Sequence, residues 1–364
     1  MLNFILLMIV PLIIALAVLL IFKKAVTVGE FLAQLGITAA FIGICLTVAY
    51  HSRTSDVEIW NGQVTQRESH HVSCSHSYRC RCRMVTSGSG KNQTSHEECD
   101  TCYEHPYDVD WTVHSSSGES VNIDREDRQG LIEPKRWDEA YPGQPYSSQH
   151  SFVNYILANP DSVLLGTKGD IVRFKNLLPD YPSTIYDYYA HRAVINMGVP
   201  NVDMKTWNWL VQEQNKALGP IKQANIIVIL VPTDDASYML ALKDKWVGGK
   251  KNDIDVVIGS VDGHKIDFAD VMSWTTNADF KVDLKNQIEG IGTLDRKDDI
   301  VKAIGTTTAA KFQRIHMRDL KYLMRSFQPS SSSIWWTFIL SVILNLGLAF
   351  LWVVLDLGGQ SNER

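Results

Sequence analysis

Residues 4–22 read FILLMIVPLIIALAVLLIF, nineteen residues without a charge. Residues 31–50 read FLAQLGITAAFIGICLTVAY, where Gln34 is the most polar member, and residues 334–355 read IWWTFILSVILNLGLAFLWVVL, again uncharged. An α-helix rises about 1.5 Å per residue, so about 20 residues cross a hydrocarbon core of about 30 Å. No water reaches that core to satisfy a backbone amide, so such runs span it as helices. Trp335, Trp336 and Trp352 lie near the ends of the last run, the depth tryptophan prefers. The expectation is an integral membrane protein with a helix hairpin over residues 1–50 and a third span over 334–356. A cleaved signal peptide is disfavoured: Met1-Leu-Asn supplies no basic region, no small-x-small site follows, and a second span soon arrives.

Working outward, the segment from His51 to Ser333 is long enough for one large or two ordinary domains. The formal net charge is −5. Outside this segment stand only Lys23, Lys24, Arg364, Glu30, Asp356 and Glu363, so the segment itself is mildly acidic and carries no global footprint for nucleic acid. Lys23 and Lys24 fill the loop of the hairpin, which the positive-inside rule makes cytoplasmic. That places the large segment outside a bacterial inner membrane. Arg318, Lys321 and Arg325, close before the third span, argue for the opposite orientation. The hairpin is given precedence because early helices usually dominate and long domains translocate despite their charge.

Residues 51–150 read as a β-rich module. Val57, Ile59 and Trp60 precede Asn61-Gly62, a dipeptide suited to a tight hairpin turn. Tyr107, Val109, Trp111 and Val113 alternate with polar residues as a half-buried strand does, Ser115-Ser-Ser-Gly118 makes a turn, and Val121 and Ile123 return. Residues 86–96 form a polar loop, and residues 134–150, with three prolines, a linker or extended arm. This module holds five of the six cysteines. Cys80-x-Cys82 and Cys99-x-x-Cys102 can place four thiolates around a structural zinc, with His70, His71, His76 and His105 nearby, or can form disulfides if the segment is extracytoplasmic. Five cannot pair completely, so disulfide formation leaves one thiol over.

Residues 151–328 change character. Trp207, Leu210, Val211, Gln214 and Leu218 have helical spacing, with Gly219-Pro220 as the stop. Residues 224–231, ANIIVILV, and 256–261 are apolar runs of the kind buried on both faces of a sheet. A helix over 236–246, a strand within 265–274, and helices over 279–290 and 297–327 complete an alternating α/β pattern.

Within this part, the helix TWNWLVQEQNKALG, the strand NIIVILVP and the stretch ALKDKWVGGKKNDIDVVIGSVDG, in that order, resemble the TPM domain. The likeness covers residues 203–310 and includes Trp246, Gly248, Gly249, Lys250, Lys251 and Asp253. The resemblance implies a membrane-anchored, mostly extracytoplasmic α/β sandwich, and because some TPM members are described as phosphatases it also implies metal-assisted phosphoester hydrolysis as an enzymatic alternative. The family's glycine-rich segment after the third strand is replaced here by MSWTTNADF. The fold class expected is α+β/α/β: three transmembrane helices, a small cysteine-containing β-rich module and a TPM-like α/β sandwich.

Asp234, Asp235 and Asp262, with Asp253 and Asp255, fall at strand ends, where α/β sheets bind ligands. Their hard oxygens suit Ca²⁺ or Mg²⁺, although each residue also suits a helix cap or turn. Gly248-Gly249-Lys250-Lys251 lacks the spacing of a phosphate loop, and no Gly-x-Ser-x-Gly elbow occurs. Lys311, Arg314, Arg318, Lys321 and Arg325 recur at intervals of three and four, a basic stripe on one helix beside the bilayer surface. Gly36, Ala40 and Gly43 form a small-residue face suited to helix packing, and Asn345 is positioned to bond another helix. The Cys45 thiol is the one ionisable side chain within a span, which argues against a pump or proton-coupled transporter. The function expected is that of a membrane-anchored accessory protein of a bacterial or phage-encoded envelope, acting on another membrane or envelope protein.

Overall fold

The computed structural model of the protein describes residues 2–23, 25–87, 94–158, 168–186, 190–327 and 329–355. Two helices, α1 (Leu2–Ile21) and α2 (Val28–Thr54), lead into β1 (Ser55–Val72), β2 (Ser77–Ser87), β3 (Thr94–Tyr103), β4 (Asp108–Ser115) and β5 (Ser120–Ile123). A short α3 (Lys135–Asp138) and β6 (Pro145–Val153) follow. Then come α4 (Lys168–Arg173), β7 (Ile185–Tyr186), β8 (Ala190–His191), β9 (Val194–Asn196), α5 (Met204–Lys222), β10 (Asn225–Val231), α6 (Tyr238–Lys245) and β11 (Asp253–Gly259). The chain closes with β12 (Phe268–Ser273), α7 (Asp279–Ile291), α8 (Lys297–Lys311), a 3-10 stretch at Met317–Ser326 and α9 (Ser331–Leu355). Lys24, Asp356, Glu363, Arg364 and the centre of the expected polar loop lie outside the described residues.

The chain divides into two compact units. One combines Met1–Asp56, Ser151–Val163 and Met317–Arg364, and the other Val57–His150 and Leu164–His316. The first unit holds α1, α2 and α9, three helices long and apolar enough to cross a membrane. A capping box starts α2: Glu30 donates its backbone N–H to Thr27 Oγ1 at 3.3 Å, and Thr27 N–H donates to Glu30 Oε2 at 2.7 Å. Deep between α2 and α9, Gln34 Nε2 donates to Asn345 Oδ1 at 2.9 Å, and Asn345 Nδ2 donates to Thr38 Oγ1 at 3.1 Å. The packing face of α2 is thus Gln34, Thr38, Ile42 and Ala49. Gly36 and Gly43, expected on that face, have open space where a Cβ would stand.

The second unit contains two four-stranded sheets, the two-stranded ribbon β2–β3 and the short pair β7–β8. The first sheet has the order β5-β4-β1-β6, and Val64, Val109, Trp111, Val113, Ile123 and Tyr146 pack within it. Residues 134–150, expected as a linker or extended arm, supply α3 and most of edge strand β6. Asn61-Gly62 is no turn either, because β1 runs straight through it. The thinness here belongs to Gly219, which lets α5 approach the Asn61 backbone. A Cβ on Gly219 of α5 would lie 2.1 Å from the Asn61 carbonyl oxygen, so helix and strand touch backbone to backbone. The helix accordingly continues past Gly219 and Pro220 to Lys222 and ends at Gln223, which takes the left-handed conformation at φ 52°.

The second sheet has the order β12-β11-β10-β9, with β10 parallel to β9 and β11, and β12 antiparallel. Every residue of β10 and β11 is buried. Ile226, Val228 and Leu230 point with Trp207, Val211, Phe280, Leu284 and Ile304 into one core, under α5, α7 and α8. Ile227, Ile229 and Val231 join Phe174, Tyr238, Leu242 and Trp246 in a second core, under α4 and α6. Helices on both faces make a three-layered α/β/α arrangement. The helix expected over 297–327 breaks after Lys311. Phe312 turns extended, at ψ 127°, and buries its ring against Phe280 at a centroid distance of 5.6 Å.

Candidate functional site

The cysteine ribbon settles one open choice. Cys80 pairs with Cys102 and Cys82 with Cys99 as disulfides, so the four-thiolate zinc site is replaced by two covalent rungs. The reason is local. The register of β2 against β3 shifts between Cys80 and Arg83, and Arg81 takes a positive φ of 47°, which sets both sulfurs against their partners on the facing strand. Cys74 remains a free thiol, and it is buried.

The acidic candidates disperse. Asp235 Oδ1 accepts the Ser237 N–H at 2.9 Å and its other oxygen pairs with Arg173. Asp262 Oδ1 accepts the N–H groups of His264 and Lys265, each at 2.8 Å. Hydrogen bonds from the Ser237 hydroxyl and N–H hold the Asp235 carboxyl, and those from the His264 and Lys265 N–H groups the Asp262 carboxyl, below the ordinary aspartate range. Among the described residues, Asp234, Asp235 and Asp262 do not converge on a common point at metal-ligand distance. The basic stripe is divided as well. Arg314 is drawn into the second unit, whereas Arg318, Lys321 and Arg325 lie on the 3-10 stretch of the first.

Arg314 is drawn in by Glu58, a fully buried carboxylate that spacing did not single out. Arg314 Nη2 donates to both Glu58 oxygens at 2.8 and 3.0 Å. Lys251 Nζ lies 3.2 Å from Glu58 Oε1, His150 Nδ1 lies 3.3 Å from it, and the Trp60 indole N–H donates to it at 2.9 Å. Burial pushes the Lys251 ammonium below its ordinary pKa, and Glu58 partly offsets this. This cluster joins the start of β1 to the loop before β11 and to the segment after α8.

A second buried polar line runs beside it. Ser147 donates to Asn61 Oδ1 at 2.7 Å, Asn61 Nδ2 to Asn225 Oδ1 at 2.9 Å, and Asn225 Nδ2 to Asp253 Oδ1 at 2.9 Å. The Tyr181 hydroxyl also donates to Asp253 Oδ1 at 3.0 Å, and the Lys250 N–H to its Oδ2 at 2.7 Å. Asp255, two residues on and therefore on the same face of β11, is fully buried, and among the described residues neither of its oxygens has a hydrogen-bond partner. Burial raises both carboxyls, and for Asp255 the Asp253 charge raises it further. Gly249, at φ +71°, closes over the pair: a Cβ there would lie 2.8 Å from Asp255 Oδ2. The two carboxyls are sealed from solvent within the core. Sequence could have flagged them as polar residues inside a strand otherwise buried on both faces.

An open concavity of this unit lies elsewhere, with a volume of about 950 Å³. Its floor is β9, one wall is the 179–184 loop, and the other is the first half of α5 with Lys205, Asn208, Trp209 and Gln212. Among the described residues β9 has a strand neighbour on one side only. Trp209 is 57 % exposed there. Comparison of the chain with protein-family models, curated proteins and solved structures found no match.

Proposed function

We propose that the chain is a membrane-anchored accessory protein whose TPM-like α/β layer holds an extended segment of another membrane or envelope protein against the open edge of β9. The groove along that edge is the observation that carries the reading. A bare strand edge offers main-chain hydrogen bonds to an added strand, and a flanking exposed tryptophan supplies an anchor for an apolar side chain. The disulfide ribbon supports an extracytoplasmic position for the exposed region, because such bonds persist in oxidising compartments. The alternative, a divalent-metal phosphatase, has less support. Its expected carboxylates are spread over separate turns, and the convergent pair Asp253 and Asp255 is closed to substrate.

The test is site-specific photo-crosslinking in membranes, with benzoylphenylalanine at position 209 and, as control, at Val282, which is 58 % exposed on α7. A discrete adduct from position 209 and none from 282 is expected. Identical patterns from both positions, or none from 209, would overturn the reading. Phosphate release by the purified chain with Mg²⁺ or Ca²⁺, lost in a D234A/D235A variant, would put the phosphatase in its place.

A further inference from the structure

The neck of the cysteine ribbon holds a set of side chains that the disulfides leave unused. The chain leaves the first sheet at Val72, forms β2 and β3, and returns at Asp108, and Val72 and Asp108 are paired in register. Cys74 and His76 lie on the outgoing connector, His105 lies on the returning one, and Asp108 opens β4. One ligand atom from each of the four lies within 4.8 Å of all the others. Cys74 Sγ is 3.7 Å from His105 Nδ1, His105 Nδ1 is 3.3 Å from Asp108 Oδ1, and His76 Nδ1 is 3.7 Å from Asp108 Oδ2. A tetrahedral zinc with bonds of about 2.0–2.3 Å holds its ligand atoms roughly 3.3–3.8 Å apart. His76 Nδ1 is buried and has no hydrogen-bond partner among the described residues, although it lies in the cluster.

We propose that Cys74, His76, His105 and Asp108 bind one Zn²⁺ that clamps the neck of the ribbon. The donor set is one thiolate, two imidazoles and one carboxylate, which suits zinc and is foreign to the all-oxygen shells of Ca²⁺ and Mg²⁺. Four protein ligands leave no open position, so the site is structural. Its surroundings are built for the purpose. Asp108 Oδ2 accepts the Ser75 N–H at 2.9 Å and Arg125 Nη1 at 2.7 Å, which fixes the carboxylate. Arg125 is shared with Asp110, at 3.0 and 2.6 Å. One thiolate, two carboxylates and one guanidinium sum to −2, the complement of a divalent cation. The His76 N–H points at Cys74 Sγ at 3.4 Å, a donor for the thiolate. Zinc also accounts for the odd cysteine. A thiolate just ahead of the Cys80–Cys102 bond is a ready partner for exchange, and coordination removes it from that chemistry.

The experiment uses the full chain purified in detergent, in a Cys45→Ala background so that Cys74 is the one remaining thiol. Elemental mass spectrometry is expected to give one zinc per chain. Cys74→Ser and His105→Gln are each expected to reduce this to background, while peptide mapping still finds both disulfides. Cobalt reconstitution is expected to give a thiolate charge-transfer band that Cys74→Ser lacks. If the variants do not fold, the parent chain decides: Cys74 is expected to resist maleimide until a strong chelator is added. Equal reactivity with and without chelator, no stoichiometric zinc uptake by the stripped chain, or full zinc retention in Cys74→Ser would overturn the proposal. Stoichiometric iron or copper in place of zinc would overturn the metal assignment.

Discussion

Asp255 is the residue whose environment has the plainest thermodynamic consequence. A carboxyl whose pKa is raised in the folded state binds its proton more tightly there than in the unfolded chain. Its contribution is fully present below the unfolded value of about 3.9 and is lost as pH rises toward neutrality and through the raised value. Asp255→Asn removes the cost of a buried charge. It is therefore expected to raise stability at pH 7 by on the order of 1–3 kcal/mol, with the gain shrinking as pH falls toward 4. Thermal unfolding of both chains across that range checks it, and a variant less stable than the parent at pH 7 would end the argument. The sequence placed Asp253 and Asp255 at a loop end. The strand begins at Asp253 itself, so its first polar residues look like the turn before it. Glu58 was illegible for a different reason: its partners Lys251 and Arg314 stand 193 and 256 positions away (251 − 58 and 314 − 58), and no local pattern links them.

At the scale of elements, the membrane helices were the most legible part, because length and lack of charge suffice to define them. The polar contact of α9 was also readable, since Asn345 has no other way to satisfy its amide in an apolar run. Asn345→Leu deletes its bonds to Gln34 and Thr38 and is expected to weaken the α2–α9 association by about 0.6–2 kcal/mol. The midpoint of detergent-induced unfolding in mixed micelles should fall accordingly, and an unchanged or higher midpoint would mean the contact contributes nothing. Two element boundaries escaped the sequence. The helical periodicity of the basic residues continues past Lys311, yet burial of Phe312 against Phe280 is worth more than another turn of exposed helix. Likewise Pro220 signals a stop, but the close approach of Gly219 to β1 holds one more turn in place.

At the scale of the whole molecule, the segment between the second and third spans is expected to face the oxidising side of its membrane, where disulfides such as those of the ribbon persist. In sealed vesicles of both orientations, an impermeant reductant followed by an impermeant maleimide should modify Cys80, Cys82, Cys99 and Cys102 only in those with the outer face exposed. Modification confined to inverted vesicles would reverse the orientation. Composition suggested a boundary near residue 150 that would make two successive domains. By contact, the chain interleaves: residues 57–150 and 164–316 lie in one unit and three separate stretches in the other. This interleaving has a consequence for biogenesis. Asn61 meets its partner Asn225 across 164 positions, so at about 5–20 residues per second the ribosome needs roughly 8–30 s to supply it. For that interval the Asn61 amide nitrogen waits for its partner, although β4 and β6 have already been made and can close both edges of β1. The buried polar groups Glu58 and Asn61 of the first strand are thus expected to find their partners late, when most of the unit has already been made.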